Sequence, residues 1–129
     1  MNQIKFRGLT LRGTFIYGSY VTDNKDYHAI VRENPDDSSE MLNTLVIPET
    51  VGQFTGLQDK NGVDIYEGDI VSQKLNCLWD EGRHNLEVRF NHDQFQTGNV
   101  KSYSSLYSAV QSFDAEIIGN IHQHPELIK

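Results

Sequence analysis

Apolar and polar residues alternate in short runs along this chain, and residues typical of turns separate the runs. The clearest run spans residues 84–91, and its apolar members are Leu86, Val88 and Phe90. Successive side chains on a strand point to opposite faces, so we expect these three to face inward. Turns recur about every 8–12 residues. The pattern predicts a mainly β fold, a compact antiparallel barrel- or sandwich-like arrangement of many short strands with a few short helical turns.

The segment TFIYGSYV, residues 14–21, differs because it is apolar on both faces. Phe15, Tyr17 and Val21 would share one face of a strand, and Ile16 and Tyr20 would share the other. Two apolar faces indicate either burial on both sides or one face that is used in an oligomer. Aromatic residues left exposed in a group would mark a surface for a partner.

Further elements are predicted from local signals. Residues 34–40 gather Asn, Pro, Asp and Ser without an apolar residue, which predicts an exposed loop, and residues 41–47 return to strand character. Residues 104–112 fit either a short helix or a strand rich in Ser and Tyr, because so short a run does not separate the two periods. A proline near the start predicts helical turns at residues 48–50 and 124–128.

The centre of the chain carries the densest turn chemistry. The sequence KNG at residues 60–62 lies between two short runs that can be strands, 54–57 and 63–66. Asn-Gly is a strong hairpin signal because both residues tolerate the positive φ of a type I′ turn, so a hairpin with this turn is expected. Alternation breaks at Gly68, which predicts a bulge or a corner between two strands. The motif positions of this stretch are Asn61, Gly62, Tyr66, Glu67, Gly68 and Asp69.

The same stretch carries a family resemblance. The run QFTGLQDKNGVDIYEGDIV, with IKFRG near the start and EIIGNIHQHPEL at the end, strongly resembles the YopX family of bacteriophage and prophage proteins. The three blocks lie in the family's order, whereas residues 12–48 and 74–115 match only loosely. The resemblance implies a small, mainly β protein that is encoded by phage or prophage genomes and self-associates. It implies no reaction and supplies no catalytic residue.

Size and composition indicate a soluble globular protein. At 129 residues without a repeat or a linker, the chain is expected to form a single domain over residues 1–129. Its hydrophobic fraction of 37% and mean hydropathy of -0.53 fit a folded soluble protein. No apolar run reaches the length of a membrane span, and no signal peptide is visible. The single cysteine, Cys77, cannot form an internal disulfide, which favours the reducing cytoplasm of a bacterial host cell.

The charge of the chain argues against nucleic acid as its main partner. The formal net charge is -7, and the eleven Lys and Arg residues are scattered singly. Phosphate binding requires a basic surface, which this composition does not favour. An acidic protein could instead mimic nucleic acid and inhibit a host nucleic-acid enzyme, although a charge of this size is ordinary for a soluble domain.

Two pairs of residues could carry chemistry. Glu67 and Asp69 would lie on one face of a regular strand and could share acid and base duties. We favour the interpretation that Gly68 breaks the strand and that each carboxylate serves a turn or meets solvent. His122 and His124 would share a face if the predicted strand over residues 115–121 extended that far.

Histidines and the lone cysteine are the remaining candidates. With His84 or His92 brought near by folding, His122 and His124 could bind zinc or another transition metal. The turn at Pro125 favours exposed histidines without a metal. Cys77 with a histidine could form a nucleophile pair, yet a lone Cys in an apolar strand usually packs as a small hydrophobic residue.

These observations favour a phage- or prophage-derived binding or assembly module without catalysis and without a cofactor. We expect it to form a homo-oligomer through sheet edges or aromatic faces, since unpaired edges invite such pairing, and to contact a host or phage protein that the sequence does not identify. One alternative is a small metal-dependent enzyme that uses His122, His124 and nearby carboxylates. Another is an acidic inhibitor of a host nucleic-acid enzyme.

Overall fold

A computed structural model describes residues 5–23, 25–34, 36–74, 83–91, 94–98, 103–112 and 114–128. Among these residues, eleven strands, one α-helix and two 3-10 turns are formed. The strands are β1 Phe6–Leu9, β2 Phe15–Thr22, β3 His28–Asn34, β4 Asp37–Leu45, β5 Gly52–Gln58, β6 Asp64–Tyr66, β7 Asp69–Lys74, β8 Arg83–Asn91, β9 Gln94–Gly98, β10 Tyr103–Ser105 and β11 Glu116–Asn120. Helix α1 is Leu106–Ser112, and the 3-10 turns are Pro48–Thr50 and Pro125–Ile128.

The prediction of a mainly β, antiparallel fold with short helical turns is confirmed. Paired strands run antiparallel in both sheets. The two predicted helical turns that begin near a proline form at Pro48–Thr50 and Pro125–Ile128. The strand order of each sheet is linear, so neither sheet closes on itself within the described residues. No helix in this part of the chain is long and apolar enough to cross a membrane.

The chain divides into two compact units, Met1–Phe54 and Thr55–Lys129. Each unit is described separately below. A single domain over residues 1–129 therefore stays a prediction.

The first unit is an antiparallel sheet with the strand order β4-β3-β2-β1-β5. Its core lies on one side, where Ile16, Ile30 and Val46 are buried and Phe6 and Tyr20 pack against them. Side chains on a strand alternate between faces, so the even-numbered apolar residues of β2 and β3 fill this core.

The second unit contains a five-stranded sheet with the order β10-β9-β8-β7-β11. Helix α1 covers one face, and its residues Leu106 and Ala109, three positions apart, are fully buried. They pack in one cluster with Val71, Leu86 and Val88. The inward orientation predicted for Leu86 and Val88 is therefore confirmed.

The structure corrects the prediction for Phe90 in β8 and chooses between the two alternatives for residues 104–112. Phe90 was expected to face the core but is 50% exposed, because it lies near the end of β8, beside the partly buried Phe95, whose ring centre is 5.0 Å from its own. Of the two alternatives for residues 104–112, the helix is formed, and it follows directly on the short strand β10. Cys77 and His92 lie outside the described residues.

The predicted loop over residues 34–40 is wrong. Strand β3 continues to Asn34, and β4 already begins at Asp37. The polar residues Ser39 and Glu40 can occupy a strand because β4 is the last strand of its sheet, so their side chains reach solvent while the backbone pairs with β3. Tertiary pairing therefore overrides the local preference of these residues.

Candidate interaction surface

The side of the first sheet that is opposite its core carries exposed apolar side chains. We call the outward side of β2, β3 and β4 the outer face. Alternation places the odd-numbered residues of these strands on it. They are Phe15, Tyr17, Ser19, Val21, Ala29, Val31, Glu33, Asp37, Ser39, Met41, Asn43 and Leu45.

Four large apolar residues of the outer face are open to solvent. Tyr17 is 48% exposed, Val21 44%, and Met41 and Leu45 56% each. Val21 and Leu45 stand in register on either side of Ala29, so one apolar row crosses all three strands. Both faces of β2 are thus apolar, as the sequence indicated, but only one of them is buried. The structure leaves one of the two faces exposed, and use of that face in an oligomer stays a prediction.

The buried face of the same strands is fixed by a polar network at its rim. The Tyr20 hydroxyl lies 2.6 Å from Nδ1 of His28, and Nε2 of His28 lies 3.1 Å from the carbonyl oxygen of Lys25. A carbonyl oxygen can only accept, so Nε2 carries the proton and Nδ1 accepts from Tyr20. This network fixes the rings of Tyr20 and His28 on the inner side, which leaves the outer face to the odd-numbered residues.

A groove of about 490 Å³ opens where β2 and β3 part, and residues of both faces line it. The two strands pair from Thr22↔His28 as far as Ser19↔Val31. Beyond that pair, β2 continues beside β1 and β3 continues beside β4. The groove is lined by Lys5, Gly18, Ser19, Val31, Arg32, Glu33 and Met41.

Gly18 is required at the point where the strands part. A Cβ atom there would collide with the backbone oxygen of Val31 and would crowd Ile30. The close approach of two backbones is one of the reasons for glycine within a strand. Gly18 thus lets β2 and β3 approach closely just before they separate.

The predicted central hairpin is confirmed, but its turn type is wrong. Asp59 and Val63 close a three-residue loop through a hydrogen bond of 2.9 Å from the Asp59 amide to the Val63 oxygen, and the Gly62 amide donates to the Asp59 oxygen. Only Gly62 has a positive φ, 80°, whereas a type I′ turn would require it at Asn61 as well. This geometry is that of a type I turn followed by a glycine bulge.

Asp59, which the sequence analysis did not single out, organises this loop. It is 6% exposed, and Oδ1 of its carboxylate accepts hydrogen bonds from the amides of Asn61 and Val63 at 2.8 and 3.0 Å. Oδ2 accepts from the amide of Ile117 at 2.9 Å. The only sequence signal for this role was an Asp one residue before the loop, which is typical of turns that the side chain closes.

Neighbouring polar contacts reinforce the attachment of the loop to β11. Asn61 Nδ2 donates to Glu116 Oε2 at 3.0 Å. The Lys60 ammonium lies 3.5 Å from Asp114 and 3.9 Å from Glu116. Motif residue Asn61 therefore serves an internal contact of the second unit.

The acidic motif after Tyr66 forms a corner, as predicted. Gly68 has φ 95°, and the chain passes there from β6, at the edge of one sheet, into β7 of the other. Asp69 is 2% exposed, and its Oδ2 accepts from the amide of Tyr66 at 2.8 Å. The corner agrees with the interpretation in which Asp69 serves a turn.

Glu87 is an electrostatic neighbour of Glu67. Burial raises the pKa of Glu87, the positive charge of Arg89 opposes this shift, and the negative charge of Glu67 adds to it. Glu67 lies in the turn between β6 and β7, whereas Glu87 lies in β8.

His122 and His124 do not extend a strand. Strand β11 ends at Asn120, whose side-chain oxygen accepts from the amides of His122 and Gln123 and so turns the chain. Nδ1 of His124 lies 3.2 Å from the amide of Asn120 and accepts from it. Within the described residues, no group of three or more His, Cys, Asp or Glu side chains is placed to hold a metal ion.

Comparisons with known proteins agree with this architecture. The family model described as YopX protein matches residues 5–129. In three dimensions the chain is similar to the crystal structure of protein EF1440 from Enterococcus faecalis, with a TM-score of 0.64, 21% sequence identity and coverage of 100% of both chains. At this identity the likeness concerns the fold alone. No curated protein matches the chain in sequence.

Proposed function

This chain belongs to the YopX family, and on that premise we propose that it is a non-catalytic assembly module that binds a second copy of itself through the outer face. The proposal includes the phage or prophage origin and the bacterial cytoplasm that the sequence favours. The observation that carries it is the row of exposed apolar side chains on β2 and β4. An apolar patch of this kind, rimmed by polar residues, is typical of a protein–protein contact.

Charge favours a second copy as the occupant. The chain has a net charge of -7, yet Glu33 and Asp37 are the only charged residues among the twelve of the outer face. Both lie at the end of the face where β3 leads into β4, so two copies can meet over the row from Val21 to Leu45 without bringing these carboxylates into contact. In a two-fold contact the same patch serves both partners, so apolar residues of one copy meet apolar residues of the other.

The geometry of β4 favours packing of faces over pairing of edges. Edge pairing would align two copies of a strand that carries Asp37 and Glu40 and no basic residue. Hydrogen bonds from the Ser39 hydroxyl and amide lower the pKa of Asp37, so this carboxylate stays charged. Acidic residues on an edge strand oppose edge pairing, whereas two sheets packed about 10 Å apart would bury Leu45 and Met41 of both copies.

The test is the mass of the protein in solution. Light scattering of the unmodified protein during size-exclusion chromatography is expected to give a dimer or a higher oligomer. Leu45→Glu places a charge in the centre of the contact and should give a monomer. The matched control is Leu11→Glu, because Leu11 is 87% exposed in the β1–β2 loop and lies off the outer face.

Two results would refute the proposal. One is that the unmodified protein stays strictly monomeric at high concentration. The other is an oligomer that survives Leu45→Glu as well as it survives Leu11→Glu. Far-UV circular dichroism of both variants would establish that each retains its strands.

A further inference from the structure

We infer that the groove between β2 and β3 binds a small ligand that carries one anionic group beside an apolar group. The inference is argued from the lining of the groove and not from self-association. Ser19, Val31, Glu33 and Met41 belong both to the groove and to the outer face, however, so we expect the ligand to bind the monomer. The volume of about 490 Å³ lies within the range of small-molecule sites, roughly 300–1,000 Å³.

Arg32 provides the strongest reason for an anion. Its Nε atom is enclosed by protein and has no hydrogen-bond partner within the described residues. A guanidinium is always charged and has five N–H donors, and an enclosed donor without a partner is unfavourable. The side chain is only partly exposed, and the groove is the opening beside it. An anion in the groove would not reach the enclosed Nε atom itself, but it would balance the charge of the guanidinium group of Arg32, which lines the groove.

Two further donors line the same groove. Lys5 is positioned by its ammonium group, which lies 4.7 Å from the centre of the Phe54 ring. Ser19 offers an exposed hydroxyl from β2. Carboxylates and phosphates are bound in proteins by such a combination of charged and neutral donors. The positive lining is local, because the chain as a whole is acidic.

The remaining lining residues define the rest of the ligand. Val31 and Met41 present apolar surface on β3 and β4, which suits an aromatic or aliphatic group. Glu33 lies at the same groove and would repel a second negative charge. The lining therefore favours a monoanion with an apolar body over inorganic phosphate or a polyanion.

The probe is phenylacetate, titrated into the ¹⁵N-labelled protein and followed by amide chemical shifts. Saturable shifts are expected at Gly18, Ser19, Val31 and Arg32. Phenylacetamide lacks the charge and acetate lacks the ring, so each should bind at least about tenfold more weakly. The titration is run on the unmodified protein and on Leu45→Glu, so that binding and self-association are observed separately.

Variants of Arg32 test the assignment. Arg32→Gln is expected to raise the Kd for phenylacetate about tenfold or more. Arg32→Lys keeps the charge but not the guanidinium group, so its Kd should lie between those of the unmodified protein and of Arg32→Gln. Arg12→Gln, an exposed arginine of the β1–β2 loop, should leave the Kd unchanged. Dispersed amide spectra establish that the variants are folded.

Saturable shifts confined to the groove in either protein support the inference, whatever the oligomeric state. Their absence from both proteins would overturn it. Binding that survives Arg32→Gln as well as Arg12→Gln would also overturn it, as would phenylacetamide binding as tightly as phenylacetate.

Discussion

Replacing Asp59 by alanine should destabilise the protein far more than the same change in a loop of equal geometry. The Asp59 carboxylate accepts three backbone hydrogen bonds, from Asn61, Val63 and Ile117, at 2.8–3.0 Å. The β1–β2 loop closes in the same way around Gly13, which has φ 83°. There, however, Thr10 supplies the side-chain oxygen.

The two loops differ in the quality and burial of these bonds. Thr10 Oγ1 lies 3.3 and 3.4 Å from the amides of Arg12 and Thr14, both exposed. Bonds this long at the surface are weak, so Thr10→Ala should cost no more than about 0.5 kcal/mol. Each bond to the Asp59 carboxylate contributes about 1.5–3 kcal/mol before the solvation of the freed amides is counted. We therefore expect Asp59→Ala to lower the free energy of unfolding by about 3 kcal/mol.

Urea denaturation followed by far-UV circular dichroism measures both changes. Asp59→Asn adds a finer test, because an amide can replace Oδ1 as an acceptor but turns an N–H towards the Ile117 amide. It should cost about 1–2 kcal/mol and should accelerate hydrogen exchange at Ile117. The reasoning fails if Asp59→Ala and Thr10→Ala are equal within about 0.5 kcal/mol, or if Asp59→Asn leaves exchange at Ile117 unchanged.

Two other changes test the sheets. Gly18→Ala should cost about 1–3 kcal/mol in urea denaturation because its Cβ collides with the Val31 backbone, whereas Ser19→Ala should stay within about 0.5 kcal/mol. Burial raises the pKa of Glu87 in the folded protein above 4.5, although the charge of Arg89 opposes this shift. Just above pH 4.5 the folded protein therefore binds more protons than the unfolded protein, and its stability falls as the pH rises through this window. Glu87→Gln should remove this slope and stabilise the protein at neutral pH by less than about 1 kcal/mol, since solvent screens a partly exposed group; a slope that persists would contradict the assignment.

Sequence patterns predicted those features that depend on neighbouring residues. Alternation identified β8, and the break at Gly68 identified the corner between β6 and β7, because both signals reside in a few adjacent positions. The turn over residues 60–62 was predicted as a hairpin for the same reason. Its type was wrong because Asn-Gly is compatible with more than one loop, and the choice depends on what closes it. Here that is the Asp59 carboxylate.

Features that depend on distant residues could not be predicted. The third bond of Asp59 reaches Ile117, 58 positions away, and nothing local announces it. The start of β4 at Asp37 was missed because polar residues read as a loop unless an adjacent strand is known. Whether the strand would reach the histidine pair was left open, because Asn120, which ends that strand, acts through its own side chain.

The outer face shows how charge can decide what hydrophobicity leaves open. The sequence of β2 is apolar on both sides, and hydrophobic content alone did not distinguish its buried face from its exposed one. The two faces differ in the residues that adjoin them. The inner face ends in the polar network of Tyr20 and His28, whereas the outer face continues as an apolar row to Leu45. In a chain of net charge -7, a face whose two carboxylates both lie at one end lets an acidic protein approach its own copy at a small electrostatic cost. The acidic residues of β4, Asp37 and Glu40, also oppose pairing of two sheet edges. The same charge distribution therefore favours two packed faces over a chain of copies that are joined edge to edge.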